Sequence, residues 1–301
     1  MIRAERLWLY GVLLVLGACW GLTQPLSKIA VSEGYRHLGL VFWQTIIGAV
    51  LLTGLCLIRG KRLPFEPQHL RLYALLAVIG TLIPNSASYE AAVHLPSGIL
   101  SILLSLVPLI AFPIAMGLGM DRFGWQRLLG LLLGLCGVAL IALPEASLPE
   151  RAMVVFLPLA LIAPLFYAIE GNVVAKWGTA GLDPIQTLAG TSWVCAAMAL
   201  PLAVGTGHWI SPLPPYGAPD LAAVLLATVH AAVYASYLWL VARAGSVFAA
   251  QTGYLVTGCG VLWAMALLGE RFGPTVWLAM AAMLTGVFLV QPRQKPQAAK
   301  A

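Results

Sequence analysis

His230, Tyr234 and Tyr237 stand at i, i+4 and i+7 of one apolar run, so a helix there carries them as a single stripe. An imidazole titrates near neutral pH, and two phenol rings can stack on a cyclic or apolar group. The stripe reads as a cavity wall; the competing reading is a histidine bonded to a backbone carbonyl. Trp20, Gln24 and Ser27 repeat the spacing beside Pro25, whose missing N–H leaves backbone groups free to bind a ligand or simply marks a packed kink. Asn85 and Tyr89 lie one turn apart. An amide that both donates and accepts suits the carboxylate or ammonium of a zwitterion, although helix–helix hydrogen bonding would use the same groups. Tyr167 and Glu170 share a fourth apolar run with Asn172. A carboxylate there can hold an ammonium or carry a proton, or pair with Lys176. Trp193, Tyr254 and Thr257 fall near the middle of further runs and complete the candidates, although a mid-span tryptophan such as Trp193 is more often packing. Glu90 beside His94 reads as a solvated carboxylate.

These polar groups interrupt a chain of 301 residues that is 60% hydrophobic and 9% charged, with a mean hydropathy of +0.90. Soluble domains carry about 25% charged residues, so this composition defines a polytopic membrane protein. Five cysteines lie inside apolar runs without paired spacing and read as small buried apolar residues. Leu16-Gly17-Ala18-Cys19 resembles a lipoprotein cleavage box, but the apolar run continues through Leu22 and more follow, so residue 1 is expected in the mature protein.

A helix needs about 20 apolar residues to cross a bilayer. Ten runs meet the pattern: 8–31, 38–58, 71–93, 97–119, 125–143, 152–176, 184–205, 219–241, 246–268 and 274–291. With the N-terminus inside, the inner segments hold thirteen Lys and Arg residues and the outer ones four. The positive-inside rule therefore expects both termini in the cytoplasm, and the net charge of +6 belongs to the inner membrane surface rather than to nucleic acid. A Tyr-led apolar segment, a short break, an apolar span and an acid-Arg-Phe-Gly loop occur twice, at Tyr89 to Gly124 and Tyr237 to Gly273. Five spans per half is an odd number, so halves at 1–144 and 145–301 must be inverted, an arrangement of secondary transporters with a site near the midplane.

Ala18-Cys19-Trp20-Gly21, Leu103-Leu104-Ser105-Leu106-Val107-Pro108 and Gly269-Glu270-Arg271, with a 148- to 149-residue repeat offset, resemble the EamA-type ten-helix transporters of the drug/metabolite transporter superfamily across residues 8–291. Met120-Asp121-Arg122 departs from the Gly-Glu-Arg pattern in the first half. The resemblance implies an all-α integral membrane fold of ten transmembrane helices, as two inverted five-helix repeats around a central cavity, in a bacterial inner membrane. The chain looks most like the aromatic amino acid exporter branch. Other cargo of the same superfamily, such as drugs, quaternary amines, nucleosides or sugars, is the alternative.

The expected function is therefore export of small amphipathic metabolites by alternating access, as a monomer or weak homodimer, without cofactor or metal. Pro84, Pro108, Pro113, Pro164, Gly253 and Gly258 are candidate bending points. The sequence has no Walker A loop, no H-E-x-x-H and no credibly placed G-x-S-x-G, which argues against ATP-driven transport by this chain alone and against intramembrane hydrolysis. No acidic ring or carbonyl filter argues for a channel.

Overall fold

The computed structural model describes residues 3–142, 150–244 and 252–290, and those residues form helices and connecting turns without strands. Span 1 is α1 (Arg3–Gly21) and α2 (Thr23–Val31); span 2 is α3 (His37–Ile58). Span 3 joins α4 (Pro67–Leu76), a π-helical segment (Ala77–Leu82) and α5 (Ile83–His94); span 4 is α6 (Ser97–Leu104) and α7 (Val107–Gly117). Span 5 is α8 (Trp125–Ala142), and span 6 a 3₁₀ turn (Arg151–Phe156) leading into α9 (Leu157–Trp177). Spans 7, 8, 9 and 10 are α10 (Pro184–Gly205), α11 (Ala218–Ala244), α12 (Thr252–Leu268) and α13 (Pro274–Val290). Among the described residues, seven spans are long and apolar enough to cross a membrane, and spans 5, 9 and 10 are shorter apolar helices. The start expected for span 9, 246–251, lies outside the described residues.

Large apolar side chains point outward along the bundle: Leu57 is 63% exposed, Leu135 58% and Phe288 68%. In water such a surface would be an aggregation liability; in a bilayer it meets lipid chains. Trp8, Trp125, Trp209 and Tyr216 are also exposed near span ends, as interfacial anchors are.

Prolines set where the spans break. A proline removes the N–H that would reach the carbonyl four residues back, and its ring crowds that carbonyl. Four residues before Pro25 is Gly21, where α1 ends; four before Pro108 is Leu104, where α6 ends. Four before Pro84 is Gly80, inside the π-helical segment, which absorbs the lost bond by widening one turn. Pro113 and Pro164 instead lie inside continuous helices, as do Gly253 and Gly258.

Spans 5 and 10 pack closely because Gly130 and Gly134 meet Gly286: a Cβ at Gly286 would lie 2.5 Å from the Gly130 carbonyl oxygen. The small-residue face of span 5 is thereby occupied within the chain. The other main contacts follow a pattern. Span 2 packs on span 7 and span 4 on span 9; span 1 packs on spans 8 and 9, as span 6 packs on spans 3 and 4; span 2 packs on span 8, as span 7 packs on span 3. Exchanging each span n with span n+5 maps this set onto itself.

The loops are fixed by charge. Asp183 caps span 7, accepting from Ile185 N and Gln186 N at 2.9 Å each, while the Gln186 side chain accepts from Asp183 N. Lys61 Nζ donates to Asp183 Oδ2 at 2.6 Å, with Arg59 at 3.5 Å. Burial pushes the Asp183 carboxyl up, but Lys61, the Gln186 amide and Arg59 outweigh it and hold the carboxyl below its ordinary range. The two acid-Arg loops are corners: Glu270 accepts from Ser97 N, Ser97 Oγ and Gly98 N at 2.7–3.0 Å, and Asp121 accepts from Arg122 N and the Arg127 guanidinium.

Candidate functional site

The proline breaks and the π-helical segment surround a cavity of about 320 Å³ at the centre of the bundle, walled by spans 1, 2, 3, 4, 6, 7, 8 and 9. Eight of the candidates read from the sequence line it: Trp20, Gln24, Asn85, Tyr89, Tyr167, Glu170, His230 and Tyr234. They come from four different spans, so the tertiary fold rather than local spacing brings them together.

One wall is a hydrogen-bonded chain. Tyr167 OH donates to Asn85 Oδ1 at 2.6 Å, Asn85 Nδ2 donates to Gln44 Oε1 at 3.0 Å, and Tyr89 OH donates to the same Gln44 oxygen. Gln44 is the member that sequence reading missed. It lies in span 2, otherwise strongly apolar, and its isolation among Phe42, Trp43 and Ile46 was the available signal. Thr45, Gly48 and Ser192 also line the cavity.

The opposite wall is aromatic. The Trp20 indole meets His230, Tyr234 and Tyr237 edge-on, with ring centroids 6.2, 6.3 and 5.6 Å away. His230 and Tyr234 lie nearly parallel, 23° apart. His230 makes no hydrogen bond to a backbone carbonyl among the described residues. Tyr237 braces Trp20 from behind, within an apolar cluster with Leu9, Leu13 and Leu240.

Glu170 is the acidic residue of the lining, and no Lys or Arg lines the cavity among the described residues. Its carboxylate lies against Gly80 of the π-helical segment: a Cβ there would sit 2.2 Å from Glu170 Oε1. A glycine at that turn therefore makes the slot the carboxylate occupies. Glu170 has no hydrogen bond or ion pair among the described residues. Lys176, the nearby cation in its span, instead donates to the Leu118 carbonyl at 3.1 Å and lies over the Trp177 ring. Gln24 Oε1 is also buried without a partner. The cavity thus presents acceptors that lack donors, the arrangement a hydrogen-bond-donating cation would satisfy.

The remaining candidates lie off this wall. Trp193 Nε1 donates to Thr53 Oγ1 at 2.9 Å, and Thr257 Oγ1 donates to Gly253 O at 3.1 Å. Tyr254 packs on the main apolar core. Glu90 lies 3.0 Å from His37 Nδ1 and 3.8 Å from His94 Nε2, near one end of the bundle.

A helical bundle with lipid-facing leucines and a central cavity of unpaired acceptors and aromatic faces has the form of a membrane carrier. The EamA-like transporter family matches the chain twice, at residues 7–143 and 155–291, and the chain belongs to that family. It is a multi-pass membrane transporter of a small molecule. A probable terminal-alkyne amino-acid exporter from Streptantibioticus cattleyicolor is 24% identical over 277 residues, covering 91% of this chain and 90% of the relative. A solved crystal structure described only as that of a protein matches with a TM-score of 0.62 at 19% identity, over 93% of this chain and 95% of that one.

Proposed function

We propose that this transporter exports small amphipathic metabolites carrying an ammonium group, foremost aromatic or other apolar amino acids, across a bacterial inner membrane by alternating access. The observation that carries the reading is the pairing of the donor-less Glu170 carboxylate with the Trp20, His230 and Tyr234 wall in one cavity. The ammonium sits at Glu170, the apolar side chain lies against the indole and phenol rings, and Gln24, Asn85 and His230 orient the charged backbone groups. The similarity to a probable amino-acid exporter supports the cargo class. Halves at 1–144 and 145–301 act as inverted repeats, a reading supported by the doubled family match and by contacts that survive exchange of span n with span n+5. The excess of Lys and Arg on one side supports cytoplasmic termini. The span 5 glycines are used against span 10, which favours a monomer.

The test is counterflow of a radiolabelled amino-acid panel in proteoliposomes holding the purified chain. Saturable exchange of aromatic or apolar members supports the reading, and no exchange with any member overturns the cargo class. A cavity without Lys or Arg also suits an organic cation lacking a carboxylate, so the panel includes a quaternary amine. Exchange of that compound alone would select the second reading.

A further inference from the structure

Lys28 and Lys176 are related by the 148-residue repeat offset, and each lies in the last turn of its span, 1 and 6. Their surroundings differ. Lys28 is half-buried, and its Nζ donates to three carbonyls at the end of span 3: Ala92 at 2.6 Å, Leu95 at 3.1 Å and Val93 at 3.2 Å. A helix C-terminus leaves its last carbonyls without partners and carries partial negative charge, so an ammonium seated there is held by both effects. The repeat-related socket for Lys176 is the last turn of span 8, residues 240–244. Lys176 is exposed and makes its described hydrogen bond to Leu118 at the end of span 4 instead.

The helix packing differs in the same sense. The end of span 1 packs on the end of span 3, and span 2 packs on span 3. Their repeat mates, span 6 with span 8 and span 7 with span 8, have no comparable packing among the described residues. The cavity stops beneath the Lys28 socket, at Ser27 and Tyr89, yet at the other end reaches Leu188, one turn from the start of span 7.

From this asymmetry we infer that Lys28 and Lys176 are alternating latches: Lys28 in the span 3 socket holds the face opposite the termini shut, and Lys176 entering the span 8 socket shuts the terminal face when Lys28 lets go. Both are positioning residues for transport; neither lines the cavity. The inference rests on the alternating-access reading, but not on the cargo. One structure supplies both halves of the argument, because the repeat shows in span 3 what span 8 forms in the other state.

The test uses the full chain, its five native cysteines replaced, with spin-label pairs at the exposed positions Ser32 and Val93 on one face and Ala175 and Trp239 on the other. Distances are read by double electron–electron resonance without cargo. Lys28→Met is expected to lengthen the Ser32–Val93 distance and shorten the Ala175–Trp239 distance, shifting the population by about tenfold or more, as expected for loss of hydrogen bonds to a charged group. Lys28→Arg keeps the resting distances and confirms that the variants fold. Lys176→Met alone leaves those distances unchanged, and added to Lys28→Met it reverses much of the shift, the non-additivity that a shared two-state element requires. Unchanged distances in a monodisperse Lys28→Met protein would overturn the latch, as would a Lys176→Met protein that opens like Lys28→Met. A failed amino-acid panel with these shifts intact would remove the cargo reading and leave the latch standing.

Discussion

Glu170 and Glu270 carry the same side chain and sit in opposite situations. Glu270 lies in a loop and accepts from three donors of span 4. Glu170 lies in the cavity wall, in a slot made by Gly80, with no donor among the described residues. A carboxylate in a low-dielectric setting is costly unless it is paired, so the fold supplies a partner where the acid is structural. Where the acid is left bare beside a cavity, the proposed function assigns the missing donor to the cargo. The comparison separates an acid that holds the bundle together from the acid that the proposed function gives to the substrate.

Breaking the cavity side gives the largest expected effect. Glu170→Gln keeps shape and loses charge, and cargo exchange at low concentration should fall about ten- to a hundredfold, the worth of a charged hydrogen bond. Thermal unfolding should stay near that of the parent protein. A Glu170→Gln protein that exchanges normally would mean that Glu170 does not hold the ammonium. Gly80→Ala tests the slot from the other side, since its methyl group meets the carboxylate; reduced exchange with retained folding is the expected outcome.

The structural side should respond in the opposite way. Glu270→Ala strands the Ser97 and Gly98 amides at the start of span 4 and is expected to destabilise the fold by about 2–3 kcal/mol, read as a lower unfolding midpoint in detergent. The exchange catalysed by the molecules that remain folded should survive. If Glu270→Ala instead abolished exchange without loss of stability, the division between the two acids would fail.

Asp183 sharpens the same division through pH. Its carboxyl is held below the ordinary range, so the stability it contributes is present above the unfolded value of about 3.9 and is lost as pH falls below it toward the folded value. Asp183→Asn should therefore flatten the dependence of the unfolding midpoint on pH below about 4, and at higher pH it should lower the midpoint, because the stabilisation of the ionised carboxyl is gone together with about 1 kcal/mol for the weakened cap. Unaltered acid sensitivity in the variant would assign that sensitivity to other groups.

Much of this was legible in the sequence. Apolar runs and their punctuation placed the spans: span 7 was expected at 184–205 and is Pro184–Gly205, and the Gly-Glu-Arg motif marked a corner that the structure gives to Glu270. The i, i+4, i+7 stripes placed His230 and Tyr234 on the cavity, because a helix carries spacing into direction. What one sequence could not show is which polar groups find each other across the bundle. Gln44 stands alone in its span, and only packing against span 3 makes it the acceptor for Asn85 and Tyr89. Stripe membership also over-reached: Tyr237 belongs to the same stripe yet supports Trp20 from behind, since one further turn carries it past the cavity.

Trp193 gives the smallest expected effect and the sharpest control. A tryptophan at mid-span reads more often as packing than as cargo stacking, and its indole N–H donates to Thr53 on span 2. Trp193→Phe removes that bond while keeping most of the ring, so a loss of about 1 kcal/mol or less in stability is expected, with exchange unchanged for every aromatic member of the panel. Trp20→Phe, by contrast, alters the ring that His230, Tyr234 and Tyr237 all meet, and should change the preference among aromatic cargoes. If both substitutions changed the preference alike, the cargo would extend beyond the described cavity toward span 7, and the aromatic wall would need to be redrawn to include Trp193.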